Sequence, residues 1–206
     1  MKVTDGVELI DHTMANCYLF ELGGENFLVD AGTKGTGRKI LNYLKEKGSK
    51  LDYILITHYH PDHVGGLKEI SDAFQCKIVV SAADAPVVTG KQKMPPTNSL
   101  LSKMVATMMR VQPVQNVTLT DDLKIEGIEP VMTAGHTPGS VSYYLKSEDI
   151  LFVGDAVVNS GGELKINRAF TRDLQAAEKS KEIILKHPAK IILSGHGEPY
   201  HKGQPL

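Results

Sequence analysis

Six consecutive residues, His58-Tyr59-His60-Pro61-Asp62-His63, place four side chains able to bind a metal within little more than one turn of chain. They follow directly on Leu51, Tyr53, Ile54, Leu55 and Ile56, a short apolar run rich in strand formers. Such a run reads as a buried central strand, so the four donors sit on the loop at its carboxyl end, where they can turn toward one point. Gly65 and Gly66 come next and let the following helix approach closely. Imidazole with carboxylate suits zinc, and also iron, manganese or cobalt.

Three more candidates recur in the same setting, each just past an apolar run and a glycine: His136 in Ala134-Gly135-His136-Thr137-Pro138-Gly139-Ser140, Asp155 after Val153-Gly154, and His196 after Ser194-Gly195. A lone histidine is more often structural than a ligand. Four strand ends that each supply His or Asp can converge on one rim of a pair of sheets. Thr57, Thr137 and Ser194 neighbour these residues and could fix imidazole tautomers.

The rest of the chain alternates accordingly. Runs at 17–20 and 27–29 around Gly23-Gly24 predict a hairpin, and Ile40, Leu41 and Leu44 before Gly48 predict a helix. Val64, Leu67, Ile70 and Phe74 have amphipathic helical spacing, followed by a strand over 77–80. Strands are expected over 123–128, 130–133, 141–145, 150–153 and 190–193, with a helix over 173–186. Each half runs strands first and helix afterwards, which predicts two sheets face to face with helices outside, in one domain over 1–206. The stretch 85–115 breaks the pattern with Pro86, Gly90, Pro95, Pro96 and Pro113 around a helix expected over 99–109. We read it as an insertion whose methionines, Met94, Met104, Met108 and Met109, give it a soft apolar face for a substrate, a second subunit in a homodimer, or burial.

Composition narrows the function classes. The 206 residues are 41% hydrophobic and carry a formal net charge of -1, with Lys and Arg spread along the chain. Neither a nucleic-acid stripe nor an apolar run of about 20 residues for a bilayer is visible, and the opening residues lack a signal-peptide core. A cytoplasmic protein acting on a small molecule is the expectation. Cys17 and Cys76 are expected to be reduced core residues. His187 and His201 read as structural or solvated, and Arg168 as part of an exposed salt bridge.

The HxHxDH run, GHTPGS, Gly154-Asp155 and Gly195-His196-Gly197 together resemble the metallo-β-lactamase superfamily, over roughly residues 7 to 200. The resemblance implies an α/β, αββα four-layer sandwich of two mixed β-sheets with outer helices, and two divalent metal ions, zinc first among them. It implies that His58, His60 and His136 hold one metal, that Asp62, His63 and His196 hold the other, and that Asp155 bridges. Asp30, in Asp30-Ala31-Gly32, matches an early family motif and would support the ligands rather than be one. His12 lies in a segment that often borders substrate in this superfamily, and with Met94 and Met108 it completes the expected substrate contacts.

Two dications in such a centre acidify a shared water and polarise the attacked carbonyl or phosphoryl oxygen. Asp62 is then the catalytic residue expected to orient the nucleophile and carry a proton to the leaving group. The first expectation is hydrolysis of a small ester-like substrate, a lactone or thioester, since GHTPGS resembles glyoxalase II and lactonase-like members. His60 stands where flavo-diiron oxidoreductases carry Glu. Two departures weaken named substrates: the chain ends soon after His196, without glyoxalase II's extra helical domain, and Val158 replaces the Tyr of acyl-homoserine lactonases. Alternatives are a phosphodiesterase acting on small phosphodiesters, a mononuclear iron persulfide dioxygenase, and a binding protein with a vestigial site.

Overall fold

The computed structural model describes residues 1–95 and 111–203. Six strands form the first sheet in chain order: β1 (Val7–Ile10), β2 (Cys17–Leu22), β3 (Glu25–Val29), β4 (Tyr53–Leu55), β5 (Lys77–Val80) and β6 (Val117–Leu119). The first three make an antiparallel meander and the rest pair in parallel. Parallel neighbours require crossovers, which are supplied by α1 (Lys34–Glu46), by α2 (Pro61–Val64) with α3 (Leu67–Phe74), and by a segment that opens with α4 (Ala85–Val88). The second sheet contains β7 (Ile128–Met132), β8 (Val141–Leu145), β9 (Ile150–Gly154), β12 (Ile191–Ser194) and β13 (Tyr200–His201) in the order β13-β12-β9-β8-β7. A separate hairpin, β10 (Val158–Ser160) with β11 (Glu163–Lys165), precedes α5 (Leu174–Lys186).

Side-chain alternation along the strands produces the layers. Phe27, Val29, Tyr53, Leu55 and Val79 point from the first sheet toward Ile150, Phe152 and Leu193 of the second. Their neighbours Leu28, Ile54, Ile78 and Val80 point the other way, onto Ile40, Leu44, Leu67 and Ile70 of α1 and α3. On the far side Leu151, Val153 and Ile192 pack on Ile184 of α5. Aromatic rings fill the space between the sheets: Phe20 stacks on Phe27 at 5.0 Å and on Phe152 at 5.5 Å, and Phe27 on Tyr53 at 4.9 Å. The expected four-layer sandwich, helix on sheet on sheet on helix, is the one observed.

Several elements differ from the sequence reading. The helix expected through Val64 to Phe74 is two helices, because the chain stops at Gly65-Gly66 where it crosses α1. A β-carbon on Gly66 would lie 2.4 Å from the Ala31 carbonyl oxygen and 2.5 Å from the Gly37 α-carbon. Gly66→Ala should therefore cost about 3 kcal/mol, the upper part of the overpacking range, and lower Tm by the order of 10 °C; a loss under about 1 kcal/mol in thermal unfolding would mean that the helices separate freely. No strand forms over 123–127, and only Ile128 of the strand expected over 123–128 is in one. A 3₁₀ turn at Thr120–Asp122 leads into loop, and Leu123 and Ile125 reach the inter-sheet core from there, so their alternation mimics a strand. The strand expected over 130–133 starts earlier, at Ile128, paired with β8. Strands β1, β6, β10, β11 and β13 have two to four residues each, too few for a period to show. The helix expected over 99–109, with Met104, Met108 and Met109, lies outside the described residues. Among the described residues no helix is long and apolar enough to cross a membrane.

Candidate metal centre

All seven candidate donors meet where strands of both sheets end. Past β4, His60 sits in extended conformation at the N-terminus of α2, and Pro61 opens that single turn, which carries Asp62 and His63. His136 follows β7, Asp155 follows β9 and His196 follows β12. The turn before His196 must carry glycine, since a β-carbon on Gly195 would lie 2.3 Å from Asp155 Oδ1 and 2.6 Å from His63 Cε1.

Three overlapping groups of donor atoms result, each with its atoms within 4.8 Å of one another: His58, His60 and His136; His58, His63 and Asp155; Asp62, His63 and His196. In the first, His60 Nδ1 lies 3.1 Å from His58 Nε2 and 2.8 Å from His136 Nε2. In the third, His196 Nε2 lies 3.2 Å from Asp62 Oδ2. Asp155 lies between them, its Oδ2 3.6 Å from His136 Nε2 and 3.5 Å from His196 Nε2, its Oδ1 3.4 Å from His63 Nε2.

The surroundings set the tautomers. Asp30, in left-handed conformation at φ 61°, accepts from Thr57 N at 2.9 Å, Thr57 Oγ1 at 2.8 Å and His63 Nδ1 at 2.7 Å. Asp30 holds the Nδ1 proton of His63, so its Nε2 faces the site. Thr57 Oγ1, having given its hydrogen to Asp30, accepts from His58 Nδ1 at 3.0 Å and leaves His58 Nε2 free in the same way. A backing hydrogen bond of this kind orients a ligating imidazole. Of the neighbouring hydroxyls, Thr57 acts on an imidazole as expected. Thr137 instead bonds Asp84 and Ser140, and Ser194 Oγ is buried without a partner.

The electrostatics divide the same way. Burial and the adjacent imidazoles hold His58 well below the ordinary histidine range, and burial brings His60 down to about 3 and His136 to about 4. These three are neutral lone-pair donors. On the other side, hydrogen bonds to Asp155 and Asp62 push His196 up to about 9, and three carboxylates raise His63 despite its burial. Burial opposes ionisation of Asp62 and Asp155, but His63 and His196 outweigh it, holding Asp62 at about 2 and Asp155 well below the carboxylate range. Protons here do the charge balancing that a cation would do. Among the described residues His63 Nε2 and Asp155 Oδ1 are buried with no hydrogen-bond partner, a costly state for polar atoms that a divalent ion would relieve. Donor types, orphaned atoms and acidic charge all fit such an ion.

Other candidates lie elsewhere. His12 is exposed, in left-handed conformation, on a loop whose Asn16 binds the His196 turn through Ser194 O at 3.1 Å, Gly195 O at 2.7 Å and Gly197 O at 2.8 Å. Met94 packs half-buried against the core under α1 and α3, and Met108 falls outside the described residues. Arg168 faces Glu178 at 3.8 Å on the surface. His187 accepts from Ala189 N at the end of α5, and His201 is exposed on β13. Cys17 is buried, Cys76 half-buried, and both are free thiols. Sequence reasoning missed Asn16 and Asp84. Asp84 follows a strand end as the donors do, but with no glycine before it to draw attention.

Known proteins resemble this chain in sequence and in fold. The family model described as "Metallo-beta-lactamase superfamily" matches residues 10–196. "Probable metallo-hydrolase YqgX" of Bacillus subtilis is 30% identical over 89% of this chain and 85% of its own length. A hydroxyacylglutathione hydrolase of Cereibacter sphaeroides is 28% identical over 84% of this chain, which spans 58% of that protein. The crystal structure of TTHA1623 in a di-iron-bound form superposes with a TM-score of 0.74 at 24% identity, covering 94% of this chain and 93% of that one. Strand-end donors, four-layer architecture and a match over nearly the whole chain lead to one conclusion: the protein belongs to the metallo-β-lactamase superfamily.

Proposed function

We propose that the protein is a metal-dependent hydrolase acting on a small ester-like substrate, a lactone or thioester, at a centre of two divalent ions. The carrying observation is that the seven donors form two triangles with Asp155 between them, His58, His60 and His136 on one side and Asp62, His63 and His196 on the other. Zinc is the expected metal, and the di-iron-bound relative makes iron the first alternative. When bound, such a pair supplies Lewis acidity and an acidified water. The residues of the chain do the rest. His58 and His63 present Nε2 because Thr57 and Asp30 hold their Nδ1 protons. Asp62, part-exposed on α2, would help hold an ion, and its carboxylate would take the proton of the attacking water and deliver it to the leaving group.

The ester-like class is favoured by the relative named hydroxyacylglutathione hydrolase. The net charge of -1 gives no basis for a nucleic-acid substrate. Selectivity is assigned to the loop holding His12 and to the segment 85–115. Metal analysis with a substrate panel tests the reading. Two ions per chain with lactone or thioester turnover support it, whereas one iron with oxygen uptake, or turnover confined to phosphodiesters, would overturn it.

A further inference from the structure

Asp84 lies after β5, fully buried, and ligates nothing in the groups described above. Burial pushes its carboxyl up to about 6 against three donors. Its Oδ2 accepts from Tyr59 N at 3.2 Å and Thr137 Oγ1 at 2.7 Å, and its Oδ1 accepts from Gly139 N at 2.9 Å. Tyr59 stands between His58 and His60 on the loop from the first sheet; Thr137 and Gly139 follow His136 on the loop from the second. One carboxylate thus ties together the two loops that form the tris-imidazole triangle. The fit is close, since a β-carbon on Gly139 would lie 2.5 Å from Asp84 Oδ1.

The other triangle does not depend on this tie. His63 is held by Asp30, and the His196 turn is held by Asn16 and by Tyr18, whose hydroxyl donates to Ser194 O at 2.8 Å. Among the described residues, His136 differs from His58 and His63 in having no partner behind its ring, its Nδ1 being buried without a hydrogen bond. Its imidazole is therefore placed through its backbone, and Asp84 binds that backbone turn.

We infer that Asp84 is a positioning residue that sets the spacing of His58, His60 and His136, and hence the affinity of that triangle for a divalent ion, without acting on the Asp62, His63 and His196 triangle. The inference rests on the two-ion reading above. A cobalt(II) titration followed by visible absorption measures each triangle separately: His196→Ala leaves the tris-imidazole triangle, and His136→Ala leaves the other. Adding Asp84→Asn replaces one acceptor oxygen with a donor facing donors. It should weaken cobalt binding 10- to 100-fold, the range for loss of a supporting partner, in the His196→Ala protein and leave the His136→Ala protein unchanged. Equal weakening in both would make Asp84 general scaffolding, and no weakening in either would remove the role; both overturn the inference while the two-ion reading stands. A parent protein that binds no cobalt would sink that reading and this inference with it. Thr137→Val removes one donor and keeps the carboxylate, and it carries the same comparison if Asp84→Asn does not fold.

Discussion

Asp62→Asn is expected to lower kcat on an ester-like substrate by about 10²- to 10⁴-fold, the contribution of a positioned proton carrier, while both ions stay bound. Asparagine preserves shape and one coordinating oxygen, so it separates the two roles assigned to this residue. Oδ2 already faces His196 Nε2 at 3.2 Å, and the side chain is 23% exposed. It can therefore hold an ion on one side and exchange a proton with substrate or solvent on the other. Turnover and metal content must be measured on the same preparation. Full kcat with two ions retained would sink the proton-carrying role, and loss of an ion would show that asparagine cannot hold the position.

A second large effect is expected from Asp30→Asn, at a residue that touches no ion. Asparagine tolerates the left-handed backbone at this position, so the change acts through the side chain alone. Three donors converge on the carboxylate, and an amide can receive them at only one of its two heads. Loss of about 3 kcal/mol is expected, the lower end for breaking a buried charged pair. The chemical effect follows from the tautomer. If His63 Nδ1 faces an amide N–H, its proton moves to Nε2 and points into the site, so the Asp62, His63 and His196 triangle loses its ion. Urea unfolding of the metal-free protein together with metal stoichiometry checks both parts. Two bound ions and a stability change under about 1 kcal/mol would mean that Thr57 and His63 find other acceptors.

The convergence of the candidate donors was legible in the sequence because they follow core strands, and a core strand is visible as a run of Val, Ile, Leu or Phe. The layers were legible for the same reason, since alternation along 27–29, 53–56 and 150–153 already states which side chain faces which way. Asp84 was not legible. Its role consists of accepting from donors 25, 53 and 55 residues away, and no local pattern encodes such distances. Asn16 is hidden likewise, bonding backbone 178 and 181 residues along the chain. The loop holding Leu123 and Ile125 deceived for another reason: it carries the alternation of a strand, but those side chains pack against the inter-sheet core from a loop, and among the described residues no strand pairs with it.

Each triangle draws on both sheets: His58 and His60, or Asp62 and His63, arrive from the first, and His136 or His196 from the second. Neither half of the protein alone contains a complete triangle. An ion held by either triangle would join the two halves, so its binding energy would fall on the seam between them. Occupancy would therefore act as a rivet. Withdrawing the ions should loosen the sheet-to-sheet seam before either sheet frays internally, and hydrogen exchange would register this first at the strand ends that meet there.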